Sequence, residues 1–243
     1  MNIRVIPTAQ QAQGINFGGK TAVVIDVLRA TSVVTTALEN GASSVIPVAT
    51  IEEAQHLYAQ LDSATTLRGG ERHALKIEGF DMGNSPLEYT KERVGGKTLV
   101  LTTTNGTNAI NNIKGADEVV LACFRNAEAV VNFIFQRLSC HDSHDVTIVC
   151  AGTEGLFSLD DGLCAGMIID SLRQKTEVVT DDLGCLLSQF YAQNKHRLPE
   201  ALSGCFHLNR LISLDFENDI RFCLETNCVS TVPVFDEGRF VLE

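Results

Sequence analysis

No stretch of this sequence approaches the roughly 20 uncharged apolar residues that a membrane-spanning helix requires, so no span is expected. The opening residues MNIRVIPTAQ hold no apolar core of the kind that marks a secretory signal, and export by that route is not expected either. Positive charge is scarce: 19 Lys and Arg stand against 30 Asp and Glu, a formal net charge of -11. A nucleic-acid or anionic-membrane surface needs a clustered positive field, which this balance argues against. A small anionic ligand stays compatible with it, provided that a few arginines converge locally. The five prolines are scattered, and repeats, low-complexity tracts and Pro/Gly/Ser-rich linkers are lacking. Nothing marks an internal boundary, so residues 1–243 are expected to form one domain. The eight cysteines include no C-x-x-C pair. Several lie inside apolar runs such as VVLACF and VTIVCAG, as small buried hydrophobes do, which favours a reducing cytoplasm. The six histidines show no metal-ligand spacing; CHDSHD, at 140–145, reads as a solvated turn ahead of a strand.

What the chain does have is 44% hydrophobic residues, enough for a sizeable core, and a recurring order. A short β-branched run is followed by a polar turn and then by a helical period. The runs are 21–27 (TAVVIDV), 44–50, 98–104 (TLVLTTT), 118–124 and 146–152, and they fit buried strands of a largely parallel sheet. Helical periods follow at 31–40, 51–62, 106–114, 127–139 and 160–174, with further helices near 181–195 and 199–226. Thr50 with Glu53 is a capping-box pattern, and Asn126 is a suitable N-cap for AEAVVNFIFQRL. The tail TVPVFDEGRFVLE predicts a hairpin at a sheet edge. The fold class is therefore α/β: layered α/β/α with helices on both faces of a mixed, largely parallel sheet.

In such a sheet, ligands bind beyond the carboxyl ends of the strands, where loops and helix N-termini gather. Every exit here is polar. The first strand leads into Asp26, Arg29, Thr31 and Ser32; RGGER supplies Glu71 and Arg72; LTTTNGT supplies Asn105, Gly106 and Thr107. The later exits bring Arg125 and Asn126, then Glu154, Asp160 and Asp161. Asn105, Gly106 and Thr107 have the make-up of an anion cradle, since a glycine lets backbone N–H groups approach a ligand; the same residues equally suit a plain helix N-cap. Carboxylates beside an anion repel it unless a cation lies between them. Mg2+ is such a cation, and it takes one or two carboxylates together with phosphate oxygens. Asp26, Glu71, Asp160 and Asp161 are the candidates, against a simpler reading as solvated or helix-dipole charge. The loop GFDMGNSP, at 79–86, has the composition of a substrate clamp, with Asp81, Asn84 and Ser85 as its polar members.

These motifs together, in this order over nearly the whole chain, resemble those of the 2-phosphosulfolactate phosphatase (ComB-like) family. The resemblance rests on VVIDVLRATS, LRGGER, GFDMGNSP, LTTTNGT, CFRN and AGTEGLFSLDD. It implies a ComB-like α/β fold and a Mg2+-dependent cytoplasmic hydrolase of coenzyme M biosynthesis. The implied reaction takes (2R)-2-phospho-3-sulfolactate to sulfolactate and phosphate. The sequence contains no DxDxT/V aspartyl motif, Cys-x5-Arg loop, Arg-His-Gly motif or G-x-x-x-x-G-K-S/T loop, so the machinery of the common phosphatases is not expected.

On this reading Glu71, Asp160 and Asp161 hold Mg2+, Asp26 ligates it or orients the attacking water, and Asp81 protonates the leaving group. Asn105, Gly106 and Thr107 hold phosphate oxygens. Arg29, Arg125 and Asn126 hold the sulfonate or carboxylate, with Thr31, Ser32, Arg72, Asn84 and Ser85 as further substrate contacts. A covalent phosphoryl-Asp26 is the rival mechanism. Another small 2-phospho acid is the rival substrate, because arginine suits both acids, and a non-catalytic sensor of an anionic metabolite is the rival function. A homodimer is the base-rate expectation for the assembly. The segment 134–146 contributes nothing to this site.

Overall fold

The runs at 20–25, 118–122 and 145–150 become adjacent strands buried along nearly their whole length, because a strand covered on both faces tolerates few polar residues. The computed structural model describes residues 1–113, 115–138 and 145–243, the side chains at 107, 108 and 111 excepted. The segment 140–144 of CHDSHD, and with it Cys140, lies outside these; the seven other cysteines are free. The strands are β1 (Asn2–Ile6), β2 (Lys20–Ile25), β3 (Ser44–Pro47), β4 (Thr66–Arg72), β5 (Leu75–Lys76), β6 (Thr98–Thr102), β7 (Glu118–Ala122), β8 (Asp145–Cys150), β9 (Val179–Thr180), β10 (Pro233–Asp236) and β11 (Arg239–Leu242). The helices are α1 (Ala30–Glu39), α2 (Ile51–Gln60), α3 (Lys91–Val94), α4 (Gly106–Asn112), α5 (Ala127–Leu138), α6 (Leu159–Arg173), α7 (Asp182–Asn194), α8 (Leu198–Ala201), α9 (Phe206–Ile212) and α10 (Glu217–Cys223).

The sheet order is β5-β4-β6-β3-β11-β10-β7-β2-β8-β1-β9. Alternation along β2 shows why it is layered. Val23 and Ile25 face one core, with residues of α5, α6, α7 and the C-terminal helices. Ala22 and Val24 face the other, with α1 and Ala109 of α4. A smaller cluster places Ala54 of α2 against Val100, Ile77 and Phe80. The mixed, largely parallel α/β/α sandwich expected above is what forms.

The terminal hairpin is a correction. It was expected at an edge but lies in the middle of the sheet, joining two parallel blocks. One block is β4, β6 and β3; the other is β7, β2, β8, β1 and β9. β11 pairs antiparallel with β3 through Phe240 and Val45, and β10 pairs antiparallel with β7 through Val234 and Val120. Phe240 is fully buried, and such a side chain contributes about 1.5–3 kcal/mol by leaving water.

Two other expectations change. The single helix over 199–226 is three short ones, α8 to α10, broken around Gly204 and again at Asp215, whose φ is 62°. Asn126 ends a 3-10 turn rather than capping α5; its amide accepts from Cys123 N and donates to the carbonyls of Leu121 and Thr231. The Thr50 to Glu53 capping box is present in both directions.

Candidate active site

The carboxyl ends of two neighbouring strand pairs, β2 with β8 and β4 with β6, meet at one pocket of about 490 Å³, although the three antiparallel pairings between β3 and β7 make the two parallel blocks run in opposite directions. Asp26, Leu28 and Arg29 come from the β2 exit, Glu71, His73 and Ala74 from β4, Thr103 to Asn105 from β6, and Thr153 and Glu154 from β8. Asn84 adds the 79–86 loop, and α9 closes the pocket with His207, Arg210 and Leu211.

Asp26 lies at the floor, 5% exposed. Its Oδ1 accepts from Ala30 N at 3.1 Å. A Cβ on Gly106 would stand 2.9 Å from Asp26 Oδ2 and 2.6 Å from the Ala30 methyl, so only glycine fits against this carboxyl. Burial pushes the Asp26 pKa up to about 7; the Ala30 N–H opposes the shift, and neighbouring Asp160 and Glu71 add to it.

Glu71, 6% exposed, clips two exits together: Oε1 accepts from Thr104 N at 2.6 Å and Oε2 from Ala74 N at 2.8 Å. The turn it holds is strained, with His73 at φ 56° and Ala74 at φ 69°, a conformation that costs an L-residue about 1–3 kcal/mol. The same turn is anchored by Arg29, whose Nη2 donates to Ala74 O at 2.8 Å. Arg29 Nη1 donates to Asp219 Oδ2 at 2.6 Å, and its guanidinium lies 4.0 Å above the Phe216 ring. Ser85 Oγ donates to the other Asp219 oxygen at 2.7 Å, which ties the 79–86 loop to the same acid. Asn84 turns a buried Oδ1 without a partner at the pocket.

The adjacent acids Asp160 and Asp161 part company. Asp161 accepts from Val27 N at 2.9 Å and Gly152 N at 3.0 Å, fastening the β2 exit to the β8 exit. Asp160 is fully buried; Oδ1 accepts from Ser158 Oγ at 2.6 Å, and the otherwise unpartnered Oδ2 lies 3.8 Å from His207 Nδ1. Burial raises the Asp161 pKa, and Asp160 raises it further. Burial lowers that of His207, against the pull of Asp160.

Several expected site residues stand elsewhere. Asp160 and Asp161 form the wall behind the pocket rather than its lining. Asp81 accepts from Arg68 N at 2.8 Å and lies outside the pocket. Thr31 and Ser32 spend their hydroxyls on the carbonyls of Asp26, Ala122 and Val27. Arg72 donates to Glu71 O and Thr102 Oγ1. Arg125 pairs with Glu225 and stacks on Phe222, and Asn126 is committed to the scaffold described above. Asn105 lines the pocket and Gly106 backs Asp26; the Thr107 side chain lies outside the described residues. Conversely, His73, His207, Arg210 and Asp219 were not singled out in the sequence. The signal for two of them was CFHLNR, where His207 and Arg210 share a helix face at i and i+3.

Among the described residues no three His, Cys, Asp or Glu side chains form a ready-made metal cage. Asp26 and Glu71 still suit an ion that needs only one or two carboxylates, because burial gathers like charge there that a cation would relieve.

Polar groups from four strand exits, three of them bringing charge, line one crevice and make this an α/β protein with a small-ligand site. Residues 6–238 match the family described as 2-phosphosulpholactate phosphatase. Relatives named probable 2-phosphosulfolactate phosphatase include one from Caldanaerobacter subterraneus subsp. tengcongensis, 47% identical over 90% of this chain and 89% of its own. One from Thermotoga maritima is 46% identical over 92% of both chains, and one from Clostridium perfringens is 42% identical over 98% of this chain and 95% of its own. The chain belongs to the 2-phosphosulpholactate phosphatase family, whose name denotes a phosphoric monoester hydrolase. Among the described residues no helix is long and apolar enough to cross a membrane.

Proposed function

We propose that the chain hydrolyses (2R)-2-phospho-3-sulfolactate to 3-sulfolactate and phosphate with Mg2+ as cofactor, a cytoplasmic step of the coenzyme M type. The observation that carries this reading is the convergence of Asp26 and Glu71, from two different strands, in a pocket that also holds Arg29 and Arg210. A bare carboxylate pair would repel a phosphate; with a cation between them it binds one. Asp26 and Glu71 would hold the Mg2+, which supplies charge neutralisation for the phosphoryl group.

The chain's own groups position the reaction. Asp26 orients a water against phosphorus, opposite the ester oxygen; the new P–O bond forms as the bond to the sulfolactate oxygen breaks. That oxygen leaves as an alkoxide and needs a proton. Asp81 is outside the pocket, so His207, aligned by Asp160, takes the role. A proton passes to the leaving oxygen from the charged form of His207, which Asp160 favours; the attacking water gives one to solvent, and His207 takes its next from solvent. Asn105 and Asn84 offer amides to the phosphate oxygens, and the Asn84 oxygen without a partner marks a place for a donor from the ligand.

Phosphate release from phosphosulfolactate, phospholactate and phosphoglycerate, each with and without EDTA, tests the proposal. Release is expected to be fastest with phosphosulfolactate and to vanish with EDTA. Product binding without any release overturns it in favour of a sensor. Rapid quench distinguishes the mechanisms, since stable label on Asp26 rules out direct attack by water.

A further inference from the structure

The pocket's two arginines differ in what holds them. Arg29 is 2% exposed, its charge met by an equally buried Asp219 and its face by Phe216. Arg210, on α9, is 27% exposed and its partner is Glu154, itself 53% exposed, at the tip of a two-residue turn closed by Thr153 and Leu156. Glu154 takes a left-handed φ of 53°, and its N–H is received by Asn105 Oδ1 at 3.4 Å. A carboxylate is thereby held on strained backbone at the pocket mouth, against a guanidinium that points into the pocket wall. Exposed pairs of this kind are weak and exchange partners readily, whereas a guanidinium fork binds a planar carboxylate or a sulfonate through two donors.

We propose that Arg210 reads the acidic group that the substrate carries beside its phosphate ester, with Glu154 as the resident carboxylate which that acid displaces. The site then selects phosphate monoesters bearing a sulfonate or carboxylate over those bearing none. This deepens the phosphatase reading and rests on it for the identity of the substrate, but not for the binding itself. Arg29 is not available for the task because Asp219 and Ala74 O already fix its guanidinium. Arg72 and Arg125 lie outside the pocket.

Calorimetry with sulfolactate and with inorganic phosphate, on the full chain with Mg2+ present, tests this without turnover. Arg210→Gln is expected to weaken sulfolactate by about 10- to 100-fold and phosphate by at least five times less, on the scale of lost charge-assisted hydrogen bonds. Arg210→Lys, which keeps the charge and loses the fork, is expected to lie between. Glu154→Gln, by removing the competitor, is expected to tighten sulfolactate by about 2- to 5-fold. Kinetics add a second arm: in Arg210→Gln the kcat/KM for phosphosulfolactate or phospholactate falls more than that for isopropyl phosphate. Comparing the two acids tells which one Arg210 meets. Equal weakening of sulfolactate and phosphate, no change in either, or no binding of sulfolactate to the unaltered chain overturns the proposal. If the chain releases no phosphate yet its sulfolactate affinity depends on Arg210, the recognition stands and the hydrolase reading falls.

Discussion

The chain around α10 meets two arginines by the same device, a phenylalanine under the guanidinium and an acid three residues further on. Phe216 and Asp219 receive Arg29; Phe222 and Glu225 receive Arg125. The first pair is sealed, with side chains 2% and 5% exposed, and its arginine lines the pocket. The second opens to water, its acid 54% exposed, and stands away from the pocket. The same chemistry thus builds a rigid wall in one place and a loose surface tie in the other, because the dielectric and the cost of losing a partner differ.

The widest gap is expected from deleting the two acids. Asp219→Ala strands a buried guanidinium and releases Ser85, so it should cost about 3–5 kcal/mol in urea unfolding and most of the phosphate release. Should that variant lose under 1 kcal/mol, the distinction between the two sites collapses.

Asp26 sharpens the contrast through pH, since buried like charge is concentrated at the pocket end. Its pKa rises from 3.8 to about 7 on folding, so the native chain holds an extra proton between those values. The stability of the metal-free protein should therefore fall as pH rises from about 4 to about 7 and level off above that range. Asp26→Asn should remove this slope and gain up to about 4 kcal/mol at pH 8, at about 1.4 kcal/mol per pKa unit. It should also lower phosphate release by more than 100-fold, on the order of a lost catalytic group. An unchanged pH profile in denaturant titrations would refute the burial account of Asp26.

A smaller effect is expected from Phe216→Leu, about 1–2 kcal/mol, against about 0.5–1 kcal/mol for Phe222→Leu, as stacking is stronger where water is excluded. Double-mutant cycles with each arginine measure the coupling directly. The least, 0 to about 1 kcal/mol, is expected from Glu225→Ala, and 1 M salt should erase what there is.

The strand exits were legible in the sequence because short-range patterns set them: apolar runs ending in Asp26 and TTTNGT lead directly to the pocket, and the polar motif RGGER brings Glu71. The Thr50 cap was legible for the same reason. What local pattern could not give was partnership across the chain. Asp160 and Asp161 have the same sequence environment, and only the approach of Val27, Gly152 and His207 separates a structural clip from a backing for histidine. The 199–226 stretch has a continuous helical period, and the break at Asp215 that separates α9 from α10 is a backbone event without a glycine or proline to announce it. Arg125 and Asn126 illustrate the opposite error: polar residues at a strand exit whose valences are taken up by α10 and the Thr231 carbonyl.

The hairpin β10 and β11 occupies the middle of the sheet yet follows all the strands it joins in chain order. Until it arrives, β3 and β7 must each present an unpaired flank of Val45 and Val120, the kind of open rim on which nascent chains stick to one another. Loss of residues 233–242 would therefore split the molecule down its centre instead of trimming its margin.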